Sequence, residues 1–565
     1  MNKVILLAIV SLMNISCPKG LAQTNQGKIV QTSFQKINSG KVDEAITDLN
    51  AFISENPDHP AALGMLGLAH RRKGNNEKSL SFYERALNAQ PENVQFQFNL
   101  GVAYALADNK DAAFESLLKV KATNAYNITN VGLSPAGAVL KSDPRYKELF
   151  PTPEEYANPF TEQGAKVIHD WKGESQNDQF GWIGRNIGDV NGDGIMDITT
   201  SAPTNKEGGA NAGKIYVYSG KSGELLWSYA AKDANGQLGM SIEAAGDVNA
   251  DGVPDVVAGA PYVNKAWVFS GIDGKVIYEW KGADEKGAFG IGVRGVGDVN
   301  RDGFGDVLVS EPYQVWGGPL NSDKIEHAGR VHLYSGKDGS ILQKWDGERA
   351  GDGFGTAVGG KTSRGSTFIM MGAPSAGSKK QGRVYVYKNV AEKAFFTMEA
   401  DSTGGSLGGM FMSVVGDVNG DGTQDVYASD FANAALGRST GRAYIHSGAD
   451  GKQLHTFTGE SAGDGFGIGV ADAGDTNNDG YDDLVIGAWQ HASAAPSGGK
   501  VYVYSGKDGS LLRTLTGQVV GETLGFDATG IGDINDDGVV DLLLTSAWSA
   551  INGSKSGRML VVAGK

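Results

Sequence analysis

The stretch FGWIGRNIGDVNGDGIMDITTSAP, residues 180–203, decides the fold. Side-chain oxygens recur in it at Asp189, Asn191, Asp193 and Asp197, with Phe-Gly before them and Ala-Pro after them. Six further copies of this arrangement follow, starting at Leu238, Phe289, Phe354, Leu407, Phe466 and Leu524, about 50 to 65 residues apart. A period of this length indicates one repeated structural unit.

A second unit recurs between these copies. Three examples are GKIYVYSGKSGELLWSY, GRVHLYSGKDGSILQKW and GKVYVYSGKDGSLLRTL, which start at Gly213, Gly329 and Gly499. Each has an alternating apolar strand, an S-G-x-x-G turn and a second strand. One period therefore contains four strands, and repeated four-stranded sheets are typical of β-propeller blades. The sequence predicts an all-β propeller of seven blades.

The ends of the repeat region predict how the ring closes. The seventh copy ends at GRMLVVAGK, residues 557–565, without a fourth strand. Upstream of the first copy, GAKVIHDWKGES at residues 164–175 resembles the fourth strand GKVIYEWKGAD at residues 274–284. We therefore expect a propeller over residues 164–565, whose last blade is completed by residues 164–175. Such closure hides exposed sheet edges.

Residues 24–125 carry a different repeat, with a period of 34 residues and helical apolar spacing. It resembles the tetratricopeptide repeat, a helix pair that stacks into a short α-solenoid. The signature positions of the second copy are Leu66, Gly67, Ser79, Tyr83, Ala86 and Pro91. Residues 126–163 are interpreted as a final helix and a linker. The array is either a spacer or a surface that captures a peptide partner.

Six of the seven propeller copies read D-x-N-x-D-G-x-x-D. Positions 1, 3, 5 and 9 offer side-chain oxygens, position 7 can offer its carbonyl, and Gly at position 6 allows a sharp turn, as in a shortened EF-hand loop. Oxygen ligands without His or Cys favour Ca²⁺. The predicted ligands are Asp189, Asn191, Asp193, Ile195, Asp197, Asp247, Asn249, Asp251, Val253, Asp255, Asp298, Asn300, Asp302, Phe304, Asp306, Asp417, Asn419, Asp421, Thr423, Asp425, Asp475, Asn477, Asp479, Tyr481, Asp483, Asp533, Asn535, Asp537, Val539 and Asp541.

The alternative for each loop is an Asn/Asp-rich hairpin without metal. Each loop crowds three Asp side chains, which repel one another without a cation. About six Ca²⁺ ions would offset most of the net charge of −15. The fourth copy departs from the pattern, since Ser363, Arg364 and Gly365 stand where the acids would be. We expect a tight turn without calcium there.

The whole arrangement resembles the FG-GAP repeat family, which includes the α-subunit heads of integrins. The resemblance covers residues 164–565 and implies a seven-bladed propeller with calcium hairpins on its lower face. It also implies that the Phe-Gly and Gly-Ala-Pro pieces pack between blades. No inserted ligand-binding domain interrupts the blades, so the resemblance implies a recognition architecture and not an integrin role.

The N-terminus predicts export. Lys3 precedes an apolar run over residues 4–13, which is too short to span a membrane, and a small-residue cleavage site ends at Ala22. Residues 1–22 are interpreted as a signal peptide of a secreted, periplasmic or cell-surface protein. The alternative is a lipoprotein with Cys17 lipidated, although Asn14 stands where the lipobox wants Leu. No later segment is apolar enough to be transmembrane, and the negative charge argues against nucleic acid.

These features favour a calcium-binding recognition or adhesion protein over an enzyme. The chain has no H-E-x-x-H motif, and its only cysteine, Cys17, lies in the predicted signal peptide. Two alternatives stay open: a calcium-dependent, lyase-like enzyme acting on polysaccharides, and a structural scaffold for an envelope complex.

The binding prediction centres on the loops between the second and third strands. The third-blade loop is the most elaborate, and it brings Tyr313, Trp316 and His327 to a surface that could bind an extracellular protein or a glycan. Phe431 and Trp489 replace the Pro of Gly-Ala-Pro, which favours packing between blades.

Overall fold

The computed structural model describes residues 25–315, 318–319, 327–363 and 365–564. The chain divides into two compact units, a helical one that ends at Tyr156 and a β unit that begins at Ala157. The predicted signal peptide, residues 1–22 with Cys17, lies outside the described residues.

The helical unit opens with three consecutive helix pairs. They are α1 (Asn25–Asn38) with α2 (Val42–Glu55), α3 (Pro60–Arg72) with α4 (Asn76–Ala89), and α5 (Val94–Leu106) with α6 (Lys110–Thr123). The side chains of Asn75, Asn93 and Asn109 cap the N-termini of α4, α5 and α6. The predicted short α-solenoid is confirmed.

Gly67 explains how closely α3 and α4 approach. A Cβ at this position would lie 2.9 Å from ring carbons of Tyr83, and the hydroxyl of Ser79 donates a hydrogen bond of 2.9 Å to the Gly67 carbonyl. Tyr83 is buried in this contact. A larger side chain at Gly67 would force the two helices apart.

Four short helical segments replace the predicted final helix and linker. They are a 3₁₀ turn at Ile128–Leu133, α7 (Pro135–Leu140), a 3₁₀ turn at Pro144–Leu149 and α8 (Pro153–Ala157). Three of the four begin at a proline, which is tolerated at a first helical position and not inside a helix.

The end of the predicted linker lies in the β unit. Phe160 is buried against Leu515 and forms a bridge with Gly517. This end of the segment therefore packs on the sheet, although its proline-rich composition gives no sign of that contact.

The β unit contains seven four-stranded antiparallel sheets, here called blades 1 to 7. Blade 1 contains β2 (Gly184–Gly188), β3 (Asp197–Ala202), β4 (Lys214–Tyr218) and β5 (Leu225–Ala230). Blade 2 contains β6 (Ser241–Gly246), β7 (Asp255–Ala260), β8 (Lys265–Phe269) and β9 (Val276–Lys281). Blade 3 contains β10 (Val293–Gly297), β11 (Asp306–Glu311), β14 (Arg330–Tyr334) and β15 (Ile341–Asp346), with a small hairpin of β12 (Gln314–Val315) and β13 (Gly318–Pro319) after β11.

The remaining blades follow the same order. Blade 4 contains β16 (Val358–Ser363), β17 (Ser366–Ala373), β18 (Arg383–Lys388) and β19 (Phe396–Glu399). Blade 5 contains β20 (Met412–Val414), β21 (Val426–Asp430), β22 (Arg442–His446) and β23 (Gln453–Thr458). Blade 6 contains β24 (Phe466–Gly474), β25 (Asp483–Ala488), β26 (Lys500–Tyr504) and β27 (Leu511–Thr516).

Blade 7 closes the ring. Its strands are β28 (Ala528–Gly530), β29 (Leu542–Ser546), β30 (Arg558–Val562) and β1 (Val167–Lys172). The strand β1 lies inside the segment predicted for closure and pairs antiparallel with β30, from Val167 opposite Val562 to Lys172 opposite Arg558. The first strands of successive blades are neighbours, and β28 lies beside β2. The predicted seven-bladed propeller is confirmed.

The core lies between the blades. One cluster joins Ile198 and Tyr216 of blade 1 to Leu543 and Val561 of blade 7, with Phe180 buried among them. This agrees with the packing role implied for the Phe-Gly pair. Gly181 follows with φ +75°, and a Cβ there would lie 2.6 Å from the Arg558 carbonyl oxygen. Only glycine fits this position.

Blade 4 shows how the departing copy folds. Ser363 pairs with Ser366, so β16 and β17 are joined by two residues, of which Gly365 has φ +78°. This is the geometry of a tight hairpin, which favours glycine. The predicted tight turn is therefore present.

Candidate metal centres and recognition surface

Position 1 organises each of the six acidic loops. In the first loop, Oδ1 of Asp189 accepts from the backbone N–H of Asp193 (3.1 Å), and Oδ2 accepts from the N–H of Gly194 (2.8 Å). The same two bonds recur in the other five loops. Gly194 has φ +85°, so the sharp turn expected at position 6 is present.

Positions 3 and 5 complete the turn. Oδ1 of Asn191 accepts from the N–H of Asp193 at 2.9 Å, and Oδ1 of Asp193 accepts from the N–H of Ile195 at 3.0 Å. All six loops repeat both bonds. Oxygens of positions 1 and 3 thus converge on one N–H group, which brings them close together.

The position 9 carboxylates have a role that the sequence did not reveal. Oδ2 of Asp197 accepts from the N–H of Val190 (2.8 Å), and Oδ1 accepts from the N–H of Gly220 (3.1 Å) in the S-G-x-x-G turn. Four other loops make the same pair of bonds to position 2 and to a turn glycine. In these five blades the position 9 Asp therefore ties its loop to the hairpin between the third and fourth strands. In blade 7, Asp541 accepts from the N–H groups of Ile534 and of Gly564, which follows β30.

These position 9 side chains are buried. Burial raises the pKa of Asp255 to about 6 and that of Asp425 to about 7, although backbone N–H donors oppose the shift. Both groups sit near two further carboxylates of their own loop, which add to the increase. The loops hold more negative charge than their hydrogen bonds compensate.

The donor chemistry fits Ca²⁺. Each loop offers carboxylates, one amide oxygen and a backbone carbonyl, and no nitrogen or sulfur ligand. A carboxylate has about four acceptor sites, so the two bonds of a position 9 Asp do not exhaust it. Within the described ranges, however, no group of three or more His, Cys, Asp or Glu side chains is arranged so that it could hold a metal ion. The assigned ligand sets and the ion count stay predictions.

The third-blade loop starts at the end of β11. The rings of Tyr313 and His327 stack with centroids 4.3 Å apart, and Nε2 of His327 lies 3.8 Å from Oδ2 of Asp284. Tyr313 has φ +58°, and its N–H donates to the Gly287 carbonyl at 2.8 Å. The structure thus brings two of the three predicted recognition residues together, while Trp316 lies outside the described residues.

Beneath this loop lies a buried pair that sequence reasoning missed. Nε2 of His332 lies 3.6 Å from Oε2 of Glu311, and both side chains are buried. Glu311 replaces the Ala of Gly-Ala-Pro and fills the space over Gly287, where a Cβ would lie 2.2 Å from Oε1. Residues 310–312 read Ser-Glu-Pro where other copies have Gly-Ala-Pro, and this difference could have drawn attention to Glu311.

Other aromatic side chains in or beside the loops between the second and third strands pack between blades. Trp489 is buried and meets Trp548 and Phe526 edge to face, with centroids 4.8 and 5.5 Å apart. The packing role predicted for Trp489 is confirmed. Nζ of Lys555 lies 4.1 Å from the centre of the Trp548 ring.

Among the helices that the structure describes, none has the length and apolarity needed to cross a membrane.

Comparisons with known protein families match both units. The FG-GAP repeat matches residues 180–218 and 240–277, and the tetratricopeptide repeat matches residues 36–91 and 83–127. The chain is an FG-GAP repeat propeller preceded by tetratricopeptide repeats.

Curated relatives share parts of this architecture. Human phosphatidylinositol-glycan-specific phospholipase D is 26% identical over 414 residues, which is 60% of this chain and 47% of the relative. Integrin alpha-4 from Xenopus laevis is 29% identical over 208 residues, 34% of this chain and 20% of the relative. Integrin alpha pat-2 from Caenorhabditis elegans is 32% identical over 181 residues, 27% of this chain and 14% of the relative. The chain thus spans less than half the length of each.

Proposed function

We propose that this FG-GAP propeller is a secreted or cell-surface recognition protein that binds calcium in six loops. It binds an extracellular protein or glycan on its upper face, the face that carries the loops between the second and third strands. The observation that carries the proposal is the identical hydrogen-bonded geometry of the six acidic loops on a closed ring. The similarity to two integrin alpha chains and the apolar N-terminal segment over residues 4–13 support it.

Calcium acts in this proposal as a structural ion. It neutralises loop carboxylates that otherwise repel one another. Through position 9 it also stiffens the attachment of the outer hairpin in blades 1, 2, 3, 5 and 6. The recognition loops on the opposite side then stand on a rigid ring, the usual arrangement for loops that carry function. Ligand binding should therefore depend on calcium without direct contact between ligand and ion.

The recognition site of the proposal is the third-blade loop. Tyr313 and His327 stack on each other, and Asp284 adds a carboxylate beside them. With Trp316, these groups combine aromatic and polar contacts of the kind found at the centres of binding sites. A peptide partner on the helical repeats remains part of the proposal.

The experiment is a binding screen of secreted proteins and glycans against the full chain, with calcium and with chelator. The proposal expects a ligand that binds only with calcium and loses affinity when Tyr313 and Trp316 are both replaced by Ala. Calcium-independent binding, or binding unaffected by the double variant, would contradict the assigned site.

An enzyme is the second candidate, and the similarity to a phospholipase D favours it. A polysaccharide-acting, lyase-like activity also stays in this class. Product analysis on any polysaccharide or glycosylphosphatidylinositol-bearing ligand found in the screen separates the two candidates, since a recognition protein returns its ligand unchanged. A scaffold role in an envelope complex predicts no soluble ligand at all.

A further inference from the structure

A repeated contact links the fourth strands of blades 7, 1, 2 and 5 to a turn of the next blade. The third residue of a fourth strand reaches the carbonyl oxygen of the first glycine in the following S-G-x-x-G turn. The contacts are His169 to Gly220 (2.7 Å), Trp227 to Gly271 (2.7 Å), Tyr278 to Gly336 (2.8 Å) and His455 to Gly506 (2.7 Å). The second glycine of each turn lies under the same ring, since a Cβ at Gly223 or Gly274 would come within 2.7 Å of ring atoms. In these blades the turn fills the space beside the fourth strand.

The junction between blades 6 and 7 lacks such a turn. The neighbours β30 and β1 come from distant parts of the chain, so no hairpin joins them. Arg513 is the third residue of β27, the position that holds an aromatic ring in the four strands above. Its Nη1 donates to the carbonyls of Ala563 (2.7 Å) and Gly564 (2.6 Å). Beside Arg513 lies a cavity of about 640 Å³ whose walls include Gln163, Asn477, Leu512 and Val540. This volume lies in the range of small-molecule sites, about 300 to 1,000 Å³.

Arg513 is a half-buried cation that forms no ion pair within the described residues. No carboxylate of the described residues lies within ion-pair distance of it, and burial lowers the pKa of its guanidinium despite the attraction of Glu162 and Asp541. Glu162 also lines the cavity, but its oxygens accept from the N–H of Thr516 (2.7 Å) and from the hydroxyls of Thr516 (2.8 Å) and Thr514 (3.2 Å). A partly desolvated charge that is hydrogen-bonded to carbonyls but not matched by an opposite charge is costly, and an anionic ligand would relieve that cost.

The chemistry of the cavity walls limits the class of ligand that could bind there. Arg513 has five N–H donors, and Nη1 alone is used by the two carbonyls, so the Nε and Nη2 side presents the fork that fits a carboxylate. One cation beside the acidic Glu162 suits a single negative charge better than a double one. The lining residues that the structure describes include aliphatic side chains and amides but no aromatic ring on which a sugar could stack.

We propose that the cavity between blades 6 and 7 binds an aliphatic carboxylate, of the kind presented by the C-terminal residue of a peptide, with Arg513 as its anion contact. Leu512 and Val540 form the apolar wall, and the amides of Gln163 and Asn477 offer hydrogen bonds. This site lies at the outer edge of the ring, apart from the third-blade loop, and does not depend on what that loop binds.

The test uses the full chain with saturating calcium and isothermal titration calorimetry. Acetyl-Gly-Leu with a free carboxyl group should bind at least about tenfold more tightly than its amide, as expected for hydrogen bonds to a charged group. Arg513→Gln should remove that difference. Arg513 also binds the carbonyls that follow β30, so its replacement could disturb the local structure. The second variant is therefore Leu512→Glu, which places a competing carboxylate at a position that is 40% exposed. It should lower binding at least about tenfold.

The matched control is Leu226→Glu, since Leu226 is the equivalent exposed position of blade 1 (36%). It should leave binding unchanged. Equal binding of acid and amide, or binding unaffected by Leu512→Glu, would overturn the proposal. Tighter binding of digalacturonate than of the peptide would overturn the aliphatic assignment and point to a uronic acid.

Discussion

Arg558 is the most consequential side chain of the closing blade. It is 2% exposed, and its Nε and Nη2 bind both oxygens of Asp170 on β1 at 2.8 and 3.0 Å. Its Nη1 lies 3.1 Å from Oε1 of Glu522, which is 1% exposed. Arg558 thus joins β30, the closing strand and the loop that enters blade 7.

Replacing Arg558 with Met would leave Glu522 buried without a cation. Breaking a buried pair in this way costs about 3 to 5 kcal/mol of unfolding free energy. The unit that begins at Ala157 and ends at Lys565 has an unfolding entropy of roughly 0.9 kcal/mol/K on the usual per-residue scale. The melting temperature of the propeller should therefore fall by about 3 to 6 °C.

The assay is scanning calorimetry of the propeller transition in excess calcium. The matched control is Arg383→Met, which removes the same charge from a partly exposed pair with Glu399 and should cost at most about 1 kcal/mol. Combining Arg558→Met with Glu522→Gln should recover most of the loss, because the buried charge is then gone. A loss no larger than that of the control, or no recovery in the double variant, would refute the reasoning.

Two further predictions follow from the ring and its upper face. Deleting residues 164–175 should expose the edge of β30 and cause aggregation or a large loss of stability, seen by light scattering and calorimetry; a monomeric, equally stable propeller starting at Gln176 would contradict closure by β1. Tyr313→Ala with Trp316→Ala should weaken the best screened ligand by roughly 2 kcal/mol, about 30-fold in Kd. The control Phe395→Ala, which removes an exposed ring elsewhere, should leave binding unchanged. If substitutions at His70 or Tyr104 abolish binding while the double variant binds normally, the recognition site lies in the helical repeats.

Most of the fold follows from counting repeats. Seven copies with four strands each predict seven blades, and the likeness of residues 164–175 to a fourth strand predicts closure. The two-residue turn after Ser363 follows from the shortened fourth copy. These features depend on local pattern, which sequence records directly.

The features that sequence reasoning missed depend on contacts between repeats. The bond from Asp197 to the Gly220 N–H joins two motifs that lie 23 residues apart, and neither motif alone indicates it. Arg513 stands next to a cavity only because β30 and β1 meet without a turn. Glu311 and His332 form a pair because they lie on adjacent strands of blade 3. Their separation of 21 residues along the chain does not indicate this contact.

Calcium content tests the central claim most directly. Equilibrium dialysis of the full chain against about 20 mM free calcium, well above the dissociation constant of about 10⁻³ M of weak extracellular sites, should give close to six bound ions per chain. Asp479→Ala should bind five under the same conditions and keep the other loops intact. Two ions or fewer in the unaltered chain would contradict the account of the six loops.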